Sequence, residues 1–190
     1  MKKNLLAAGA AAFGVLTIAA FSPTADAQTG TVTQPVQRPL SIKAGVYFPT
    51  GSHASSSGGG SQFSAGADYA LTKTATANPV LPSVYVDYNG GSHGGGRLYT
   101  TGAGVAVRTY LGSPGTNGSS PYVGAGIGAY DISAKQNGGT QSKSEVKAGG
   151  KIFLGTDLSS GFFVEASYEL LPSVAQVNPT GVAVQVGYRF

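Results

Sequence analysis

From residue 40 onward the chain alternates apolar and polar side chains with a period of two, in one segment after another. That pattern belongs to β-strands whose two faces meet different surroundings. Leu40, Ile42, Ala44, Val46 and Phe48 alternate with Ser41, Lys43, Gly45 and Tyr47. The same rhythm runs through residues 63–71, 84–88, 99–109, 122–130, 145–154, 162–170 and 182–190, giving eight segments. Most have roughly the 9–11 residues that carry a tilted strand across a bilayer. The segment around Val84 is the shortest. Gly/Ser/Asn/Pro stretches at 51–61, 89–96, 112–120 and 137–143 read as loops between them.

One face of these segments is apolar and the other carries nearly every charge. Lys43, Arg108, Lys147, Lys151 and Arg189 share that second face with Asp68, Asp87, Glu145, Glu165 and Glu169. Alternation by itself does not say which face points inward. Composition helps here. Charged residues make up only 11% of the chain, against roughly 25% in a soluble domain. Past residue 21 no apolar run approaches the length of about 20 residues that a membrane helix needs. Low charge without a helical span suits many short strands with their charges inside. An eight-stranded barrel is just wide enough for side chains to fill it. Charges buried there are costly unless paired, so equal numbers of both signs suit a closed, internally bridged lumen. Many of the 30 glycines fall on the inward face and leave room for long side chains. A water-soluble barrel or sandwich would turn the same pattern inside out.

The N-terminus reads as an address. Lys2 and Lys3 precede an apolar stretch at 5–21, and Ala25-Asp26-Ala27 forms a small-x-small cleavage site before Gln28. Residues 1–27 are therefore expected to be a secretory signal peptide. Residues 28–38 form a polar lead-in kept extended by Pro35 and Pro39, and 39–190 the barrel. The chain has no cysteine, which excludes a disulfide scaffold, a thiolate zinc site and an acylated-cysteine anchor. The formal net charge of +4 is scattered, so no nucleic-acid partner is expected.

The last segment, Val182-Ala-Val-Gln-Val-Gly-Tyr-Arg-Phe190, ends with aromatic residues at alternate positions, Tyr188 and Phe190. It resembles the C-terminal assembly signal of bacterial outer-membrane barrels. Pro121-Tyr-Val-Gly-Ala-Gly-Ile-Gly-Ala-Tyr130 and Phe162-Phe-Val-Glu-Ala-Ser-Tyr168 are similar to strands of the OmpA/OmpX-like β-barrel family. The resemblance covers 39–190. It implies an all-β, antiparallel up-and-down transmembrane barrel of about eight strands in a Gram-negative outer membrane. Both termini would face the periplasm, and the connections at 49–62, 89–97, 131–143 and 172–180 would face outside. Its partners would be outer-membrane lipid and the barrel-assembly machinery, engaged through Tyr188 and Phe190. Two features depart from the family. Tryptophan is absent, and the connections at 72–82 and 112–120 are long for periplasmic turns. No peptidoglycan-binding domain is expected after the barrel.

Candidate chemistry is sparse. His53 and His93 lie in Gly/Ser-rich stretches near Ser52, Ser55 and Ser92, with Asp87 not far off in sequence. The family resemblance admits lipid-modifying enzymes with Ser-His-acid sites, but mobile loops hold such geometry poorly. The glycine triplets at 58–60 and 94–96 lack the lysine spacing of a phosphate loop. No cofactor is expected, and no metal, since no His/Asp/Glu cluster stands at ligand spacing. The expectation is a non-enzymatic barrel with a structural or surface-interaction role. A narrow, porin-like pore for ions or small solutes is the alternative, and a lipid-modifying enzyme the third reading. On this view Arg108, Glu165, Glu169 and Arg189 belong to a structural network rather than a gate.

Overall fold

The computed structural model describes residues 38–71, 80–111, 119–158 and 161–190. The expected signal peptide, the lead-in up to residue 37 and most of the two connections at 72–82 and 112–120 lie outside the described residues. Eight strands form one closed sheet. They are β1 (Leu40–Pro49), β2 (Gln62–Ala70), β3 (Val80–His93), β4 (Gly96–Tyr110), β5 (Ser119–Lys135), β6 (Lys143–Leu158), β7 (Phe162–Leu170) and β8 (Gly181–Arg189). A short helix, α1 (Ala54–Gly58), sits between β1 and β2. Every strand is antiparallel to its neighbours, and β1 closes the barrel on β8 from Ser41↔Arg189 to Pro49↔Gly181. Closure removes the free edges that an open sheet would expose. Among the described residues no helix is long and apolar enough to cross a membrane.

Alternation fixes the facing of every strand. Ile42, Val86, Val105, Ile152, Leu154 and Val186 point outward and are exposed. Their neighbours Lys43, Asp87, Ala106, Lys151, Phe153 and Gln185 point inward and are buried. The interior is polar at its centre and the exterior apolar.

The walls differ in height. β3 to β6 run 14, 15, 17 and 16 residues, whereas β1, β2, β7 and β8 have only 9 or 10. This corrects the reading of the third segment as the shortest and of 89–96 as a loop. The strand continues through the glycines to His93, where Gly94 and Gly95 alone make the turn, with φ of 58° and 85°. Two consecutive positive-φ residues form the type I′ turn that matches the twist of a hairpin, and a Gly-Gly pair supplies both. Likewise β5 extends to Lys135, so residues read as connection are ladder. The β7–β8 connection carries its own bridge, Val174↔Val177.

Inward glycines receive aromatic rings. A Cβ built on Gly102 would lie 2.3 Å from the Tyr130 ring, and on Gly187 2.3 Å from the Phe163 ring. Tyr122 and Phe153 cover Gly155 and Gly124 in the same way. The glycines therefore make room for rings as much as for charged chains. Gly102→Ala is expected to destabilise the barrel by about 1–3 kcal/mol, the usual range for overpacking, despite alanine's lower backbone entropy cost. Gly60→Ala, where a Cβ meets nothing within 4 Å, should stay within about 0.5 kcal/mol of the parent. Urea titration of the refolded chain measures both.

Candidate functional site

The centre of the lumen is organised by Lys43 on β1. Its Nζ lies 2.7 Å from Glu165 Oε1 on β7, 3.3 Å from Asp68 Oδ2 on β2 and 3.8 Å from Asp87 Oδ1 on β3. Asp87 turns its other oxygen to Lys151 of β6 at 2.6 Å, and that ammonium stands 3.7 Å above the Tyr85 ring centroid. Tyr122 donates to Glu165 Oε2 at 3.0 Å, and Ser41 to Asp68 Oδ2 at 3.3 Å. Each buried carboxylate here has a cation or a donor, which is the condition for tolerating charge away from water.

A second group lies toward the chain-terminal end. Arg189 Nε and Nη2 both donate to Asp157 Oδ1, at 3.0 and 2.9 Å, and Tyr110 donates to Asp157 Oδ2 at 2.5 Å. The Arg189 guanidinium also stacks over Phe163 at 4.4 Å, and that of Arg108 lies over Tyr122 at 5.1 Å. Toward the opposite end runs an uncharged relay. Gln185 donates to Ser64, Ser64 to Asn89, and Asn89 to Glu169 Oε2 at 2.9 Å. Among the described residues Glu169 makes no ion pair and is only 2% exposed.

Of the ten charged residues singled out from sequence, Lys43, Asp68, Asp87, Lys151 and Glu165 meet in one cluster. Arg108, Glu169 and Arg189 face the same lumen above and below it. Glu145 and Lys147 stand apart, at the outer end of β6. There they pair with each other at 2.5 Å and share Glu145 with Lys143, partly open to solvent. Asp157 takes their place inside. The lumen thus holds Lys43, Arg108, Lys151 and Arg189 against Asp68, Asp87, Asp157, Glu165 and Glu169, one carboxylate more than the cations. Asp157 keeps the parity of Lys151 and so is legible in the alternation of β6 once it is extended past Leu154. Asn89 was hidden by its glycine-rich surroundings.

Beyond the relay, at the end of the barrel away from the chain terminus, apolar side chains pack together. Leu98, Ile132 and Ala134 point in from the tall wall, and Ala54 of α1 and Leu171, Val174 and Val177 of the last connection fold over them. All are at most 4% exposed. His53 sits in the left-handed region with φ 59° at the start of α1, and His93 ends β3. Neither imidazole hydrogen-bonds a serine or carboxylate among the described residues. No group of three His, Asp or Glu is placed to hold a metal ion among them.

No protein-family model matches the sequence, and no curated protein matches it. Solved structures do. The chain is similar to the outer membrane enzyme PagL, with a TM-score of 0.54 and 16% identity over 79% of this chain and 98% of that one. It is similar to Neisserial surface protein A, with a TM-score of 0.53 and 15% identity over 80% and 97%. The N-terminal β-barrel domain of Pseudomonas aeruginosa OprF matches with a TM-score of 0.49 and 18% identity over 81% and 98%. The fold is that of the small eight-stranded outer-membrane barrels.

Removing the central cation tests the network. Lys43→Met leaves three carboxylates facing one another and should cost about 3–5 kcal/mol, as breaking a buried pair does. Adding Glu165→Gln to it should recover part of that loss. Lys147→Met, on the partly exposed pair, should cost less than about 1 kcal/mol. Denaturant unfolding of the variants, combined as a double-mutant cycle, measures the coupling.

Proposed function

We propose that this chain is a non-enzymatic outer-membrane barrel with a structural and surface-presenting role and a closed bore. One observation carries the reading, the inversion of its two faces. The large outward side chains are apolar from Leu40 round to Val186, while Lys43, Asp87, Lys151, Asp157, Glu165, Glu169 and Arg189 are buried in the lumen. Water would penalise that exterior. A bilayer favours it, and the closed ladder pairs the strands on both sides over the span that all eight share. Outward aromatic clusters support the same placement. Tyr188 packs edge-on to Phe162 and Phe190 at 5.0 and 4.9 Å, and Arg38 donates to its hydroxyl at 3.1 Å. Phe63, Tyr88 and Tyr99 form another cluster near the far end. These take the place of the missing tryptophans in an aromatic girdle.

In this reading residues 1–27 direct export, the surrounding lipid is the first partner, and the barrel-assembly machinery takes β8 by its outward Tyr188 and Phe190. The apolar stopper of Leu98, Ile132, Val174 and Val177 favours a sealed barrel over a narrow pore. Among the described residues neither the His53 nor the His93 imidazole hydrogen-bonds a serine or carboxylate, which supports the non-catalytic reading, although one barrel of this fold is an enzyme.

Fractionation of expressing cells, with the membrane sample run boiled and unboiled on SDS-PAGE, tests the placement. Outer-membrane enrichment and a heat-modifiable band are expected, and a soluble protein with one unshifted band would overturn the reading. In planar bilayers the chain should give no steady conductance. Val186→Arg should cost about 2–4 kcal/mol near the bilayer midplane, and Val146→Arg, between Glu145 and Lys147 at the outer end, about 0–1. Urea titration in vesicles distinguishes the two.

A further inference from the structure

Among the described residues, the strands carry charge on their outward face at Arg97, Asp131 and Lys135 alone, all toward the outer ends of β4 and β5. Arg97 and Lys135 are register partners, side by side on the same face. Like charges directly opposite on a ladder repel. Among the described residues neither cation forms an ion pair. The one outward acid, Asp131, lies four residues before Lys135 and accepts from Ser144 of β6 at 2.5 Å. A cation pair without an ion-pair partner is a costly thing to keep on a wall whose other charge is Asp131 alone, and it fits a ligand of opposite sign.

A depression of about 370 Å³ lies at this pair. His93, Arg97, Tyr99 and Lys135 line it, with the backbone of the Gly94-Gly95 turn at its rim. Tyr99, the ring in its lining, belongs to the aromatic cluster with Tyr88. Tyr99 stacks on Tyr88 with ring centroids 6.4 Å apart and an interplanar angle of 24°. Both rings lie over Gly90, where a Cβ would come within 2.5 Å of each. Aromatic side chains of this kind collect at the boundary between hydrocarbon and headgroups. Arg97 stands one outward step beyond Tyr99 on the same strand, about 7 Å farther along it, which is headgroup height.

The site is also held in place. A Cβ on Gly94 would strike Asn137 Nδ2 at 2.4 Å, and one on Gly96 the backbone of Ser57 in α1 at 2.8 Å. The hairpin tip is therefore wedged between the β5–β6 turn and α1. The cations are mounted on a paired ladder, not on a loop.

We propose that this depression binds a phosphate group of the lipid leaflet around the outer end of the barrel. The inference rests on the outer-membrane reading. Arg97 offers the planar fork that grips two phosphate oxygens, and Lys135 a point charge beside it. A phosphomonoester, with up to two negative charges, neutralises the pair and leaves its acyl chains against the apolar wall below Tyr99. A soluble anion would gain the charge contacts but nothing from that wall, which is why a lipid source is favoured.

The test uses the full barrel refolded into phosphatidylcholine vesicles containing a minor fraction of phosphatidic acid. Native mass spectrometry then counts the lipid retained after gentle detergent release. The parent should retain phosphatidic acid over phosphatidylcholine, and Arg97→Gln/Lys135→Gln should lose that preference roughly tenfold or more. Lys143→Gln, a rim cation outside the depression, should keep it. Equal retention by parent and double variant would overturn the site. Displacement of the lipid by inorganic phosphate at millimolar level would overturn its lipid source. A heat-modifiable band in the same samples separates the two questions. Folded, inserted protein without lipid preference refutes the site alone, whereas protein that inserts into neither vesicle refutes the outer-membrane reading.

Discussion

The barrel depends on the position of Lys43. One ammonium on β1 faces carboxylates from β2, β3 and β7, so a single side chain ties half the circumference across the lumen. Asp87 extends the tie to β6 through Lys151. An interior of this kind is not a stabilising core in the soluble sense, because desolvating charges takes back much of what pairing gives. Its value lies in specificity. A strand slipped by one residue would turn its charges to the outside and leave the others unpaired. The register of the ladder and the charge map of the lumen therefore enforce each other.

The aromatic rings complete that interior. Tyr122 illustrates how the parts interlock. It covers Gly155, donates to Glu165 and lies beneath the Arg108 guanidinium. Rings laid over glycines fill the bore at low backbone bulk, and their hydroxyls satisfy carboxylate oxygens that the cations do not reach. The centre is filled by charge and rings, and Leu98, Ile132, Val174 and Val177 pack together beyond it. What can vary without disturbing this interior is the outer rim.

The tall wall of β3 to β6 gives that rim its shape. It carries the outward cations Arg97 and Lys135 above the rings of Tyr88 and Tyr99, and it receives α1 along its inner side. The outer wall and the connections are the parts of the barrel that the buried charge network does not engage. The uneven strand lengths concentrate both on one side.

Most of the fold could be read from the chain. Period-two alternation gave the inward or outward parity of each strand, from Lys43 inside to Val186 outside, because in a strand parity is a local property of the backbone. The inward parity of Arg108, Glu165, Glu169 and Arg189 came with it. Strand ends were harder to read. Gly90, Gly91, Gly94 and Gly95 look alike in sequence, yet the first pair are ladder and the second a turn, and only the rings of Tyr88 and Tyr99 over Gly90 and the cross-strand partners decide which is which. Partner choice in the lumen was likewise illegible. That Lys43 meets Glu165, 122 residues away, and that Glu145 falls beyond the buried cluster despite its inward parity, follow from strand tilt and barrel closure. The sequence by itself determined which face each side chain occupies. The tertiary structure decided which side chains meet across the bore, because those distances exist only once β1 has closed on β8.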